Sequence, residues 1–335
     1  MNKKSKHRNL SRVKKRKSKK KVNLLLFFSI FVILIVSGFT GYAYWRVNNI
    51  AEKIYEPSTN NLSISKEESN KQKNEQKLVD QSFAVVLVGQ DYRPQTGSRN
   101  TDALIIGIFN PTTYKVSLLS IPRDFKVEVP GYGVGKINGV YAKGGPQLLM
   151  DTLSEYFGIP INYYVKIDFK GFEMVIDELG GIEVDVERDM YYYSEADNTN
   201  INLKKGLQIL DGKQALDYAR FRKSSNGKDS NDFERNERHQ KIIKAFVDKL
   251  ASIGGVTSIF DILEIVGDHI KTNLTPKDMK EIFWKYKRIS KDDINSINMQ
   301  SYWKNPYVII EPSELERVQK ELKKAFEQTK EFTKE

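Results

Sequence analysis

The distribution of apolar and polar residues divides the chain into a short tail, an apolar segment, a polar segment and a long mixed region. The apolar segment at 22–45 (VNLLLFFSIFVILIVSGFTGYAYW) contains no charged residue. A helix of about 20 such residues spans a bilayer at about 1.5 Å per residue. The segment is longer than the core of a cleavable secretory signal and ends in interfacial aromatic residues. It therefore predicts an uncleaved transmembrane signal anchor.

The charge on the two sides of this segment predicts its orientation. Residues 1–21 contain twelve Lys or Arg and no acidic residue, whereas few cations directly follow the segment. By the positive-inside rule, 1–21 is a basic cytoplasmic tail and everything after the anchor is extracytoplasmic. The alternative for such a tail is nucleic-acid binding, but a basic run beside a spanning helix is more typical of an orientation or lipid-headgroup signal. We expect a single-pass protein of the cell membrane.

The polar segment and the mixed region predict a linker and one folded domain. Residues 46–81 are rich in Asn, Ser, Lys, Glu and Gln, which predicts a flexible extracytoplasmic linker. Residues 82–335 form the predicted domain. Three strand-like runs at 83–89, 103–109 and 115–122 are followed by alternating helix and strand patterns at 146–157, 163–169, 172–179 and 182–186. From Asp211 onward the pattern is mostly helical.

These elements predict the fold class. Alternation of strands and helices is typical of α/β domains, and near-continuous apolarity indicates strands that are buried on both faces. We expect a mixed central β-sheet covered by helices on both faces, preceded by the single N-terminal transmembrane helix.

Composition excludes several classes of function. There is no Cys, so thiolate nucleophiles, disulfides and iron–sulfur clusters are excluded, and three His make a multi-His metal site improbable. The net charge of +11 comes from the tail, because the remainder has 42 basic against 43 acidic residues. The domain is thus not basic overall and no nucleic-acid partner is expected. P-loop, GxSxG, HExxH and Rossmann GxGxxG motifs are also missing from the sequence.

Arginine usage provides the strongest chemical signal. Outside the tail the chain has 31 Lys but only 11 Arg, and seven of these Arg lie in three short segments: Arg93, Arg99, Arg123, Arg220, Arg222, Arg235 and Arg238. The planar guanidinium binds phosphate oxygens bidentately, so the clustering favours a phosphate-bearing ligand. The alternative is a set of structural ion pairs, because Asp91, Asp102, Asp124, Asp232 and Glu234 lie in the same segments.

Two carboxylates add a candidate metal site. Asp91 follows the first strand and Asp102 precedes the second, so they meet if these strands pair. Hard oxygen ligands beside phosphate are the usual environment of Mg²⁺ in proteins. Alternatively, Asp102 is an ordinary turn or strand-start residue. His239 is the one His near the arginines, and a lone His on an amphipathic helix is more often a packing residue than a substrate ligand.

The motifs VGQDYR, RNTDALII, SIPRDFKVEVPGYGVGKINGVYAKGG, LDGKQALDYARFR and NDFERNERHQKII, between about Phe83 and Leu250, closely resemble those of the LytR-CpsA-Psr family of Gram-positive cell-envelope proteins. The resemblance implies a phosphotransferase that moves an anionic glycopolymer, wall teichoic acid or capsular polysaccharide, from an undecaprenyl-pyrophosphate carrier to a peptidoglycan acceptor. A phosphodiester bond forms. In that family the pyrophosphate is held by arginines and magnesium, and the prenyl chain lies in an apolar tunnel.

The resemblance also implies roles for particular residues. Asp91 and Asp102 would bind magnesium, or manganese in its place, and with Arg99 and Arg123 they would form the catalytic set. Whether Asp91 is a metal ligand or a general base stays open. The predicted pyrophosphate-binding residues are Arg99, Arg123, Arg220, Arg222, Arg235, Arg238, Gln240 and Asp232. The chain departs from the pattern at His239, where many members have Gln, and at Glu234, where a small residue is common.

Two other functions are compatible with these residues. One is a membrane-anchored attenuator that senses cell-wall lipid intermediates without turnover. The other is a polyprenyl-pyrophosphate hydrolase, in which water replaces the sugar acceptor. Clustered arginines with paired carboxylates favour catalysis over sensing.

Overall fold

A computed structural model describes residues 45, 48–57, 77–90, 101–195, 199–222, 224, 232–252 and 262–327. The chain divides into two units, Met1–Asn49 and Ile50–Glu335, and the second contains all the elements described below. Within the described ranges, no helix is both long and apolar enough to cross a membrane. The predicted anchor at 22–45 lies outside these ranges except for Trp45.

Fourteen strands are present in the described residues: β1 Phe83–Gln90, β2 Thr101–Asn110, β3 Lys115–Ile121, β4 Lys126–Val129, β5 Gly133–Lys136, β6 Tyr163–Asp168, β7 Ile182–Val186, β8 Met190–Ser194, β9 Thr199–Leu203, β10 Gly206–Leu210, β11 Ile270–Thr272, β12 Ile294–Ile297, β13 Tyr302–Lys304 and β14 Tyr307–Ile309. The longer helices are α1 Val140–Phe157, α2 Phe169–Glu178, α3 Gly212–Arg220, α4 Asp232–Ser252, α5 Pro276–Tyr286 and α6 Pro312–Glu327. Two shorter helical stretches lie at 50–54 and 262–266.

The central sheet has six strands in the order β11-β6-β1-β2-β3-β12. β1, β2 and β3 form an antiparallel meander, as expected for three runs joined by short connections. β6 pairs parallel with β1, and β12 pairs parallel with β3. The sheet is therefore mixed, as the sequence predicts.

Successive residues of the central strands point to opposite faces, and each face buries a separate core. Val86 and Leu104 belong to the cluster that includes residues of α1 and α6. Their neighbours Val85 and Ile105 belong to the cluster on the other face, where residues of α4 and α5 pack. Since alternate residues of one strand lie on opposite faces, continuous apolar runs require cover on both sides. The predicted layers of helices on both faces are confirmed.

The region after Asp211 is less helical than the sequence pattern suggests. β11 and β12 extend the sheet at its two edges, and β13 and β14 form a hairpin. Each of these four strands has only three or four residues. Runs this short do not show the alternation that identifies a strand, so pairing with neighbouring strands determines their conformation.

The ends of the predicted linker pack on the domain. Ile54 is 2% exposed, Leu78 and Val79 are also buried, and Tyr55 forms a bridge with Thr272. The packed unit therefore begins at Ile50, ahead of the predicted boundary at residue 82. Residues 58–76 lie outside the described ranges.

The motif YAKGG lies within α1 and interrupts it. Gly144 and Gly145 have non-helical backbone angles, and Gly145 has a φ of +65°, which L-residues rarely adopt. Pro146 follows directly and begins the second part of the helix, where its fixed φ is favourable and its missing N–H costs little.

Candidate functional site

Three strand ends bring the predicted site residues to one edge of the central sheet. Gln90 at the end of β1 pairs with Thr101 at the start of β2. Ile121 at the end of β3 pairs with Leu104 of β2, so Arg123 follows β3 at the same edge as Asp102. The pairing of strands that places Asp102 beside the end of β1 is as the sequence analysis expects.

Asp102 and Arg123 contact each other directly at this edge. Arg123 Nη1 donates to Asp102 Oδ1 at 3.1 Å, and Arg123 Nε lies 3.5 Å from Asp124 Oδ2. Burial lowers the pKa of Arg123, but the nearby carboxylates of Asp102 and Asp124 outweigh burial and raise this pKa above its ordinary value. The Asp102 and Arg123 side chains are 29% and 30% exposed. The guanidinium is thus permanently charged, oriented by protein and accessible to an anion.

Asp124 anchors this arrangement. Its carboxylate is 8% exposed and accepts a hydrogen bond from Lys136 Nζ at 2.7 Å. Burial raises the pKa of Asp124, but the Lys136 hydrogen bond and the charge of Arg123 exceed that effect and lower it overall. The backbone oxygen of Asp124 also accepts from Val308 N at 2.9 Å. Asp124 therefore stays ionised and fixes one side of Arg123.

A short helix, α3, delivers Arg220 to the same end of the sheet. Asp211 caps the helix and forms a reciprocal capping box with Gln214. Gly212 is needed there because a Cβ would lie 2.2 Å from the Glu173 carbonyl oxygen of α2. At the other end of α3, the Arg220 guanidinium lies 4.9 Å from the ring centre of Phe169, which directly follows β6. This contact fits a cation–π interaction and leaves Arg220 half-buried beside the strand ends.

The helix α4 packs its first turns against the end of β3. Gln240 Nε2 donates to Ser120 Oγ at 3.3 Å, and Ser120 Oγ donates to the Asn236 backbone oxygen at 3.4 Å. Ser120 lies three residues before Arg123. The contact therefore packs the part of α4 that carries Gln240 and Arg235, which is 5% exposed, against the end of β3.

Arg238 is fully buried and bonds to protein groups. Nη1 donates to Glu187 Oε1 at 3.0 Å and Nη2 to the Phe221 backbone oxygen at 2.5 Å. Tyr218 also donates to Glu187, at 2.8 Å. Burial raises the pKa of Glu187, but its backbone hydrogen bond and those from Tyr218 and Arg238 outweigh burial and lower it. Since Phe221 lies between Arg220 and the exposed Arg222, Arg238 holds the segment that presents both.

The two departures from the family pattern are both accommodated by local contacts. His239 is buried, and burial together with the charges of Arg235 and Arg238 lowers its pKa to about 3. It is therefore a neutral packing residue at neutral pH. Glu234 forms an ion pair with Arg188.

Some predicted site residues lie beyond the described ranges. Asp91, Arg93 and Arg99 fall within residues 91–100, and the side chain of Asp232 is also outside the description. Among described residues, no group of three or more His, Asp or Glu has an arrangement that could hold a metal ion. Asp102 is half-buried and uses Oδ1 for Arg123, so its second oxygen suits a hard cation.

Sequence reasoning left three supporting residues unassigned: Lys136, Phe169 and Glu187. Lys136 lies within the quoted motif that includes KIN, two residues before Asn138, so proximity to Arg123 along the motif was an available signal. The other two are brought to the site by tertiary packing alone. Of the structural ion pairs considered as the alternative to phosphate binding, Arg123 pairs with Asp102 and Asp124, whereas Glu234 pairs with Arg188, which lies elsewhere in the chain.

Comparison with known proteins gives consistent results. The polyisoprenyl-teichoic acid–peptidoglycan teichoic acid transferase TagT of Bacillus subtilis (strain 168) is 31% identical, over 94% of this chain and 97% of that protein. The corresponding transferase TagU of Enterococcus faecalis (strain ATCC 700802 / V583) is 33% identical, over 91% of this chain and 97% of that protein.

Solved structures agree with the fold. One, described as TagT bound to LI-WTA, has a TM-score of 0.59 and 31% identity, covering 73% of this chain and 91% of the other. Another, described as the LytR-CPS2A-psr family protein YwtF (TagT) with bound octaprenyl pyrophosphate lipid, has a TM-score of 0.55 and 28% identity, covering 73% and 90%. The model of the LytR_cpsA_psr family matches residues 42–324. The chain, with its arginine-lined sheet edge, belongs to the LytR_cpsA_psr family.

Proposed function

We propose that the protein transfers a teichoic acid-type anionic glycopolymer from a polyisoprenyl-linked precursor to peptidoglycan. The relatives that match nearly the whole chain are named as transferases of this kind, and two similar structures are described with a lipid-linked wall teichoic acid and with octaprenyl pyrophosphate. The observation on which the proposal rests is the accessible, doubly paired Arg123 beside Asp102 at the sheet edge. The finer assignment is an undecaprenyl-pyrophosphate carrier, with capsular polysaccharide as the alternative polymer.

The site chemistry follows from charge. A hydroxyl of the acceptor sugar attacks the phosphorus that bears the glycopolymer, a new phosphorus–oxygen bond forms, and the hydroxyl proton passes to a base, for which Asp91 and solvent water are the candidates. The bond from that phosphorus to the bridging oxygen breaks, and the lipid phosphate leaves with the electron pair. Negative charge grows on phosphate oxygens during this step, so fixed guanidinium groups stabilise the transition state more than the ground state. Arg123 and Arg220, both held by protein contacts, are suited to this role.

We propose further that the site takes a divalent cation of the magnesium class, Mg²⁺ or Mn²⁺, a proposal supported by the half-buried Asp102 carboxylate beside Arg123. When bound, the cation supplies further neutralisation of phosphate charge. Asp102 would be one ligand and Asp91 the other, with phosphate oxygens completing the coordination. Arg123 keeps Asp102 oriented, since its guanidinium contacts one of the two carboxylate oxygens.

The proposed reaction places the domain outside the cytoplasmic membrane. The basic tail at 1–21 and the apolar run at 22–45 support a single-pass anchor with a cytoplasmic N-terminus. Protease added to intact protoplasts is then expected to remove residues 46–335 as effectively as protease added to lysed cells. Protection of the domain until lysis would contradict this topology.

The function is tested by incubating the detergent-extracted full chain with lipid-linked glycopolymer and an uncrosslinked peptidoglycan oligomer. Covalent joining of the two, with release of lipid phosphate, is expected. Release of phosphate without joining would identify a polyprenyl-pyrophosphate hydrolase. Binding of the lipid without either reaction would identify the attenuator.

A further inference from the structure

Two hairpins beside Arg123 expose a group of large apolar side chains. The β4–β5 hairpin exposes Tyr132 (54%) and Val134 (55%), and the β13–β14 hairpin exposes Tyr302 (44%) and Trp303 (53%). Single exposed apolar residues are ordinary, whereas a group of them at the margin of a site marks a place where a partner binds.

Direct contacts attach this group to the site. Lys136 Nζ, which bonds to Asp124, lies 5.6 Å from the ring centre of Trp303. The hairpin is also held through its backbone, because Val308 N donates to the Asp124 oxygen and Val308 forms a bridge with Phe125. The Lys136 side chain therefore connects Trp303 to Asp124, which itself contacts Arg123.

Two lysines of this surface face each other across the β4–β5 hairpin. Lys126 of β4 lies directly opposite Lys136 of β5. Lys136 is neutralised by its ion pair with Asp124, so the charge open to a ligand is that of Lys126. Each lysine lies over an aromatic ring, Lys126 at 5.8 Å from the ring centre of Tyr307. Glu128 is the exposed acid on the same strand. The exposed cation of Lys126 among aromatic rings suits a ligand that has both sugar rings and carboxylates.

The hairpins and α4 pack on opposite faces of the central sheet, and this indicates which of the two substrates approaches from each side. Val127 and Val308 pack in the core on one face of the central sheet. Ile243 of α4 packs in the core on the other face. In an in-line displacement the attacking and leaving oxygens lie on opposite sides of the phosphorus. If Arg235 and Gln240 of α4 hold the lipid pyrophosphate, the attacking hydroxyl arrives from the side of the hairpins.

We propose that this surface, formed by Tyr132, Tyr302, Trp303, Lys126 and Lys136, binds the saccharide chain of the peptidoglycan acceptor. The inference rests on the proposed transferase function and adds to it the location of the second substrate. The rings stack against the apolar faces of the sugars, Lys126 attracts the carboxylates of the attached lactyl and peptide groups, and Lys136 connects Trp303 to Asp124.

The test compares two tryptophans of the same exposure. Trp284 on α5 is 56% exposed, and Lys287 Nζ lies 4.5 Å from its ring centre. Trp284 therefore matches Trp303 in exposure and in its lysine contact but lies on a different element. In the full chain, Trp303→Ala is expected to raise KM for the peptidoglycan oligomer about tenfold, as for loss of an aromatic contact residue. KM for the lipid-linked donor stays unchanged. Trp284→Ala leaves both values unchanged, and Trp303→Phe retains most acceptor affinity.

A second readout is needed if Trp303→Ala has a low melting temperature. It is the affinity for the peptidoglycan oligomer, measured without donor by titration below the melting temperature of each variant. Loss of oligomer binding by Trp303→Ala, but not by Trp303→Phe or Trp284→Ala, supports the proposal. If Trp303→Ala and Trp284→Ala behave alike, the proposal is overturned. It is also overturned if Trp303→Ala leaves KM for the acceptor unchanged and instead raises KM for the donor or reduces binding to anionic vesicles. A wild-type chain that joins no polymer would instead contradict the proposed function itself.

Discussion

Replacing Arg123 by Lys separates a phosphate-binding role from a purely structural one. The lysine keeps the positive charge but cannot make two parallel hydrogen bonds to one phosphate. In the free protein, Arg123 Nη1 contacts Asp102 at 3.1 Å and Nε approaches Asp124 at 3.5 Å. Because Asp124 keeps its 2.7 Å bond to Lys136 in the variant, the carboxylates near Arg123 are not left without a cation.

The expected cost to folding is small and the expected cost to transfer is large. The Arg123 side chain is 30% exposed, and ion pairs at such positions contribute about 1 kcal/mol or less. For a domain of this size that corresponds to a change in Tm of about 2–4 °C. Loss of one fixed donor to a developing oxyanion reduces turnover about 10²- to 10³-fold. We therefore expect kcat to fall by about that factor in Arg123→Lys.

The assay is transfer of lipid-linked glycopolymer to a peptidoglycan oligomer, with a melting curve for each variant. Arg317→Lys is the matched control, since Arg317 pairs with Glu314 and Glu321 on α6, each at 2.6 Å. This control is expected to transfer at the wild-type rate. Near-normal turnover by Arg123→Lys would refute the phosphate-binding role, because a structural ion pair tolerates lysine.

Three further outcomes follow from the structure. Arg238→Met leaves Glu187 and a backbone carbonyl without their buried cation, so it is expected to destabilise the domain by about 3 kcal/mol or more in denaturant unfolding, unlike Arg123→Lys. His239 is neutral in the folded protein because its pKa is about 3, whereas the unfolded chain binds a proton below about pH 6.5. The free energy of unfolding then decreases as the pH falls below about 6.5, by about 2 kcal/mol at pH 5. Between pH 8 and pH 5, the Tm of His239→Gln is expected to fall less than that of the wild type. Chelation of divalent cations is expected to abolish transfer, and Asp102→Asn to weaken the dependence on added Mg²⁺ without unfolding; wild-type rates in chelator would exclude the metal.

Local sequence was sufficient to predict the central elements because their patterns are long. β1, β2 and β3 are continuous apolar runs, and the structure places them at 83–90, 101–110 and 115–121, within two residues of the predicted bounds. The helix predicted from Asp211 onward forms as expected, since Asp211 and Gln214, three residues apart in the chain, form a capping box at its start. Arg123 and Arg220, two of the arginines that the choice of Arg over Lys singled out, lie at the same end of the sheet.

The partners of the arginines were not predictable in the same way. Arg238 and Arg123 look alike in sequence, since both lie in charged segments beside carboxylates. Only the packing of α4 against β7 and α3 shows that Arg238 is fully buried on Glu187 and Phe221, whereas Arg123 is partly open. Burial decides the role of an arginine, and burial depends on residues far apart in the chain.

Sequence alone determined the tail, the apolar run, the family motifs and the strand meander, because each is encoded by neighbouring residues. The tertiary structure decided which carboxylate orients which arginine, that the short strands β11 and β12 complete the sheet, and that two distant hairpins meet beside Asp124. These features depend on contacts between segments separated by up to about 180 residues, as between Asp124 and Val308. Local propensity contains no information on such contacts, since the free energy that stabilises them arises only when both segments are buried together.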